Sequence, residues 1–207
     1  TAYRRQRQMC IRDRGYALQK NKKYAEAIDA YLKADTLKPD NIWNNRHLAI
    51  CYRLNRNYQA ALSYYKKVEE ATPEDTNVIF HIGSCLAELG QYEEAANYFF
   101  KLDFIESNCI KAWRGIGWCS FISRKYEQAM KYYEKIIEQK PLAIDYMNAG
   151  HVAWTMGDIQ KAAALYGKSI TANGNRERFL EMFRKDKEAL LKQGIQEEDI
   201  PLMLDLL

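Results

Sequence analysis

The sequence predicts an all-α protein, an α-solenoid of about five stacked helix-turn-helix units followed by C-terminal capping helices. Three observations carry this expectation. Four columns of matched residues recur at one step along the chain. Within each period the apolar residues fall at helical spacing. Glycine and proline punctuate the periods and are otherwise scarce, with ten Gly and four Pro in 207 residues.

The columns set the period. Pro39, Pro73 and Pro141 lie 34 and 68 residues apart. A small-residue column runs Gly15, Ala49, Gly83, Gly117, Gly150, and an alanine column Ala27, Ala61, Ala95, Ala129, Ala162. An aromatic column runs Tyr31, Tyr65, Phe99, Tyr133, Tyr166; the fourth is Tyr24, Tyr58, Tyr92, Tyr126, Ile159. Self-similarity of this length marks an array in which each unit buries its apolar face against its neighbours. The small columns mark close helix crossings, and the aromatics fill the wider gaps.

The first unit, about residues 8–41, begins inside an Arg-rich stretch. Residues 1–14 hold five Arg and one Asp, which accounts for the whole formal net charge of +4 and leaves the remaining body neutral. Arg14 stands at a core place of the repeat. The arm reads as a disordered end, or as a translated adapter run at Met9-Cys10-Ile11-Arg12-Asp13-Arg14. A nucleic-acid or membrane arm is the functional alternative. Setting the arm aside leaves the array at residues 15–172.

The second unit, about 42–75, opens near Asp40, a candidate helix cap. The third, about 76–109, opens with Asp75 and Thr76 as candidate caps. Its first helix carries Ile79, Ile82, Leu86 and Leu89 at helical spacing and breaks at Gly90. Its second, Tyr92–Leu102, carries Ala95, Phe99 and Leu102 on one stripe. The fourth unit, about 110–142, ends at Pro141. The fifth, about 143–174, breaks at Gly157. Residues 175–207 leave the pattern. Asn173-Gly174-Asn175 reads as a turn. Glu177–Lys192 reads as a helix with Phe179, Leu180, Phe183, Leu190 and Leu191 on one side, ended by Gly194. Ile200–Leu207 reads as a short apolar helix entered through Pro201. This tail is expected to cap the array; partner binding or dimerisation through Ile200–Leu207 is the alternative.

Trp113, Gly117, Tyr126, Ala129, Tyr133, Ile136 and Pro141 in the fourth unit, and Leu48, Ala49, Tyr52, Tyr58, Ala61, Tyr65, Val68 and Pro73 in the second, resemble the tetratricopeptide repeat (TPR) over about residues 8–172. Departures are Arg14 at a usually buried Leu place, Ser107 and Gly174 at terminal-Pro places, and Ile159 and Ser169 in the fifth unit. The resemblance implies a right-handed superhelix whose first helices line a concave, peptide-binding face, in a non-catalytic protein-protein interaction scaffold. On that geometry the groove residues are Trp43, Arg46, His47, Ile50, Arg53, Phe80, His81, Ser84, Lys111, Arg114, Trp118, Phe121, Met147, Asn148, His151 and Trp154. The set is rich in Trp, Arg, His and Phe and contains no Asp or Glu, which suits a peptide partner with acidic and apolar residues. The bland alternative is that Trp118, Phe121 and Trp154 pack under the C-terminal helix. The family's carboxylate clamp for chaperone tails is disfavoured. Arg46 and Lys111 fit it, but Ile50 and His81 stand where Asn is needed, and Gly115 where a basic residue is.

No P-loop, HExxH, nucleophile elbow or dinucleotide-binding glycine turn occurs, so no enzyme and no cofactor are expected. Cys51, Cys85 and Cys119 recur at 34 as small packing residues. Five thiols with no pairing logic suit a reducing, cytoplasmic setting. His47 and His81 occupy equivalent places in neighbouring units; polar groove lining is expected there rather than a metal. No apolar run approaches the ~18–20 residues of a membrane span. The alternatives to a protein-binding scaffold are a helical-repeat RNA-binding array and a self-association segment of a larger protein. An RNA array would have a longer period and a basic body, so no nucleic-acid partner is expected.

Overall fold

A computed structural model describes residues 2–207. Among the described residues the chain forms twelve helices and no strand. Its contacts divide it into two compact units, one up to Ile105 and one from Glu106.

The N-terminal unit holds three antiparallel hairpins: α1 (Ala2–Lys20) with α2 (Tyr24–Leu37), α3 (Ile42–Leu54) with α4 (Tyr58–Ala71), and α5 (Thr76–Glu88) with α6 (Tyr92–Ile105). The C-terminal unit holds α7 (Ile110–Ile122) with α8 (Tyr126–Ile137), α9 (Ala143–Thr155) with α10 (Ile159–Asn173), then α11 (Arg176–Lys192) and α12 (Asp199–Asp205).

The small and aromatic columns prove to be two halves of one contact inside each hairpin. A Cβ placed on Gly15 would meet the Tyr31 ring at 2.8 Å, one on Gly83 the Phe99 ring at 3.0 Å, and one on Gly117 the Tyr133 ring at 2.9 Å. On Gly150 it would lie 2.5 Å from the Tyr166 ring. The column is small because the aromatic of the second helix lies flat on the backbone of the first. Those aromatics are buried, as is the alanine column that lets the helices approach. Each full aromatic burial contributes about 1.5–3 kcal/mol.

All five hairpin turns share a backbone device that the sequence reading caught only at its two glycines. Lys22, Arg56, Gly90, Arg124 and Gly157 have φ of 60°, 60°, 78°, 60° and 84°. At each, the left-handed residue's N–H bonds the carbonyl three back, and the following N–H bonds the carbonyl five back, as in Arg56 to Arg53 and Asn57 to Tyr52. This is the Schellman closure of a helix end, which satisfies orphan carbonyls and reverses the chain. Lys and Arg hold the position at a conformational cost that glycine avoids.

Two expectations are corrected. The arm at residues 1–14 is helical from Ala2 on, as the leading part of α1. Arg, Gln and Met are good helix formers. Gln8 and Gly15 are buried, while Arg5, Arg7 and Arg14 project into solvent. Arg14 therefore meets no core; it lines a surface recess with Glu26 and Asp29. The cap of α3 is Asn41, whose side chain accepts from the Asn44 N–H, and not Asp40, which has φ 55° and pairs with Lys67. Asp75 caps α5 as expected, accepting from Asn77 and Val78 N–H, with Thr76 the first helical residue.

Candidate functional site

In the N-terminal unit the expected groove residues lie on two helices. Trp43, Arg46, Ile50 and Arg53 follow one another at three- and four-residue steps on α3, with His47 four after Trp43, which places them on one face. Phe80, His81 and Ser84 do the same on α5. All eight are half-buried.

Trp43 and His47 form the densest part of this face. Their ring centroids are 3.9 Å apart; Tyr31 lies 5.9 Å from Trp43, and Tyr16 lies 5.6 Å from His47. The Arg12 guanidinium sits 4.1 Å over the Trp43 ring, a cation–π contact. Gln19 Oε1 accepts from the Tyr31 hydroxyl at 2.9 Å and lies 2.8 Å from His47 Nδ1. An amide oxygen only accepts, so His47 carries its hydrogen on Nδ1 and presents Nε2 as an acceptor. Burial, then the charges of Arg12, Arg46 and Lys20, push the His47 pKa down to about 4. The ring is neutral at ordinary pH and titrates only in acid.

The face is less cationic than its residue list suggests. Arg46 Nη1 lies 2.8 Å from Asp75 Oδ2, joining α3 to the cap of α5. Burial raises the Asp75 carboxyl, but the Val78 N–H and the Arg46 guanidinium outweigh it and hold it below its usual range. Arg53 Nε donates to the Tyr65 hydroxyl at 3.4 Å. His81 stacks on the Tyr65 ring at 5.5 Å, and Ser84 Oγ donates to the Phe80 carbonyl.

In the C-terminal unit four expected groove residues are in the core. Phe121, Met147, His151 and Trp154 are 1%, 0%, 0% and 5% exposed. The cause is α11. Phe183 packs 5.4 Å from the His151 ring and 6.4 Å from the Trp154 ring, and Phe179 packs 5.6 Å from Tyr166. His151 Nδ1 lies 2.8 Å from the Tyr166 hydroxyl, and its Nε2 lies 3.4 Å from Asp186 of α11. The end of α11 is tied to the α7–α8 turn. Gln193 accepts from the Tyr126 hydroxyl and donates to the Ile122 carbonyl, while Arg124 donates to the Lys192 carbonyl.

Arg114 is likewise no free cation. It donates twice to Asp145, at 2.7 Å on each oxygen, and Asp145 also accepts from the Leu142 N–H. Asp145 is 1% exposed, so this pair fastens α7 to α9 within the core. Lys111 lies 3.4 Å from Glu106. Trp118 and Asn148 remain half-buried, Trp118 with its ring 5.6 Å from Phe121.

Sequence reasoning missed Arg12, which lies in the arm, and Tyr16 and Gln19, which lie in the array but outside its four columns. Their spacing of four and three along a helix phased by Gly15 was the available signal. Among the described residues no group of three or more His, Cys, Asp or Glu is placed to hold a metal ion. None of the described helices is long and apolar enough to cross a membrane.

Family profiles described as tetratricopeptide repeat match residues 53–119 with one profile and residues 13–41, 110–141 and 146–176 with another. The chain belongs to the tetratricopeptide repeat family. Solved TPR structures share its fold. One, reported as the crystal structure of YrrB, a TPR protein with an unusual peptide-binding site, has TM-score 0.70 and 20% identity over 84% of this chain and 90% of its own. MamA from Desulfovibrio magneticus RS-1 has TM-score 0.75 and 15% identity over 80% and 94%. A tetratricopeptide repeat protein from Parabacteroides merdae has TM-score 0.65 and 20% identity over 96% and 83%. At these identities the likeness is one of fold. A search of curated proteins finds no match in sequence.

Proposed function

We propose that the protein is a non-catalytic protein-interaction scaffold that binds an extended peptide on the inner face of α3 and α5, around Trp43, Arg46, His47, Ile50, Phe80, His81 and Ser84. The observation that carries this is an asymmetry between the two units. The α3–α5 face keeps Trp43, His47, Phe80 and His81 half-exposed, while α11 covers His151 and Trp154. Trp43, Ile50 and Phe80 supply apolar anchoring, and His47 Nε2 offers an acceptor to a backbone N–H. Membership in a repeat family that builds interaction surfaces supports the reading. So does the peptide-binding site reported for a TPR protein of the same fold. Lys111, Arg114, Trp118 and Asn148 are assigned a secondary role, because Arg114 is committed to Asp145.

The test is selection from a random-peptide display library. The wild-type chain and the convex-face variant Glu93→Lys are expected to enrich the same peptides. Ile50→Glu combined with Phe80→Glu is expected to lose them while keeping its helical circular dichroism. Equal enrichment by the double variant would move the site elsewhere, with Ile200–Leu207 the next face to test.

A further inference from the structure

The inner-face stripe of α3 ends in a recess of about 250 Å³ lined by Arg53, Arg56, Tyr58, Ser84, Cys85 and Glu88, beside Leu54. Its chemistry differs from the rest of the stripe. Along α3, Arg53 follows Ile50 by three residues and Arg46 by seven, so it continues the same face. Along α5, Ser84 follows Phe80 by four and Glu88 follows Ser84 by four. The recess is thus the far end of the proposed peptide track, at the α3–α4 turn.

Two guanidinium groups meet there. Among the described residues neither Arg53 nor Arg56 has a carboxylate at ion-pair distance, whereas Arg46 is bound to Asp75 and Lys23, Lys66, Lys67 and Lys101 each have an acidic partner. Glu88 is the one acid of the recess. It faces the Tyr58 phenol, whose pKa is raised by burial and then by the Glu88 charge. One carboxylate against two guanidiniums leaves the recess one positive charge in excess. Arg56 also occupies the left-handed turn position, φ 60°, that Gly90 and Gly157 fill in other hairpins. A side chain at that position is strained relative to glycine. At the equivalent turn, Arg124 uses its side chain to hold the Lys192 carbonyl; Arg56 has no such bond among the described residues.

We propose that this recess is an anion subsite that takes a carboxylate, from an Asp or Glu side chain or from a chain terminus, of a peptide lying along α3 and α5. The proposal rests on the peptide-binding reading above. Guanidinium forks match the two oxygens of a carboxylate, and a half-buried Arg53 beside a solvent-facing Arg56 can close on the group from two sides.

The experiment uses the full chain and two display libraries, one with peptides flanked on both sides and one with free C-termini. The variant Arg53→Gln with Arg56→Gln is compared with wild type. Wild type is expected to enrich an acidic position at one end of the apolar motif. Enrichment in the flanked library assigns a side-chain carboxylate; enrichment in the free-end library alone assigns a terminal one. The variant should keep the apolar positions and lose the acidic preference. A selected acidic peptide should bind it about tenfold more weakly, while its Asn or Gln version binds both proteins equally. An identical acidic preference in the variant, or selected peptides with no acidic position, overturns the subsite and leaves the groove standing. If no peptide is selected at all, the groove reading fails, and a titration with acetate followed on the arginine Nε–H resonances decides the recess. Saturable shifts at Arg53 and Arg56 support it; shifts no larger than those of exposed Arg5 and Arg7 overturn it.

Discussion

Adding one methyl group at each column glycine should destabilise the array in an order set by the ring beneath it. Gly→Ala inside a helix gains about 1 kcal/mol in propensity. Against this stands overpacking, typically about 1–3 kcal/mol in a filled core. At Gly83 the new Cβ would meet Phe99 at 3.0, 3.1 and 3.2 Å, so a shift of a few tenths of an ångström restores ordinary contact. The two effects nearly cancel there. At Gly150 the Cβ would sit 2.5 and 2.6 Å from two carbons of Tyr166. That ring is fully buried and is held by His151, Trp154, Phe179 and Phe183. It must move by about 1 Å against four neighbours, so the overpacking cost is at its upper end of about 3 kcal/mol. The net loss for Gly150→Ala is about 2 kcal/mol, or ~4–8 °C in melting temperature for a chain of this size. The assay is urea denaturation of both variants with unchanged m-value, followed by far-ultraviolet circular dichroism. A Gly150→Ala protein as stable as Gly83→Ala would refute the claim that the aromatic ring is what keeps the column small.

Lys22→Gly should stabilise the chain by about 0.5–1 kcal/mol in thermal melts, because it removes a side chain from the left-handed turn position. Arg114→Ala should cost about 3 kcal/mol in the same denaturation assay, since it strands the buried Asp145 carboxylate. Adding Asp145→Asn to that variant should recover part of the loss. His47 has a folded pKa of about 4 against 6.5 for an ordinary imidazole, so the unfolded chain binds its proton first as the pH falls. Stability is then level above about pH 6.5 and declines between pH 6.5 and 4. In urea titrations across that range His47→Gln should show a shallower decline.

The repeat was legible because its residues are constrained by packing. Tyr65 or Ala95 can be only large and flat, or only small, so the chemistry recurs with the geometry. The left-handed turn position was not legible as a column. Lys22, Arg56 and Gly90 share a backbone angle and no side-chain property. Four of the expected groove residues, Phe121, Met147, His151 and Trp154, are buried instead. Trp154 has the composition of a binding face, and its burial under α11 depends on a partner helix that breaks the repeat and so has no column to align with. The bland alternative for Trp118, Phe121 and Trp154 holds for Trp154, while Trp118 stays half-exposed. Arg114 shows the same limit, because its charge is visible in the sequence and its pairing with Asp145 is not. The N-terminal stretch reads as an arm on its arginines, although Arg12 lies one turn before Gly15 of the small column.

The ring-on-glycine contact also bears on how the chain acquires its structure. Gly15 and Tyr31, Gly83 and Phe99, Gly117 and Tyr133, and Gly150 and Tyr166 are each separated by the same short stretch of sequence, one hairpin long. Closing so short a loop costs little entropy, and a topology dominated by local contacts folds fast. Each hairpin can therefore lock as soon as its second helix is synthesised, without waiting for the rest of the chain. The fastening of α11 is of another kind, joining residues 67, 68 and 71 positions apart. It must follow the hairpins it bridges. Until it closes, His151 and Trp154 stand uncovered, so the nascent chain presents, for a time, a second aromatic face that the finished protein does not have.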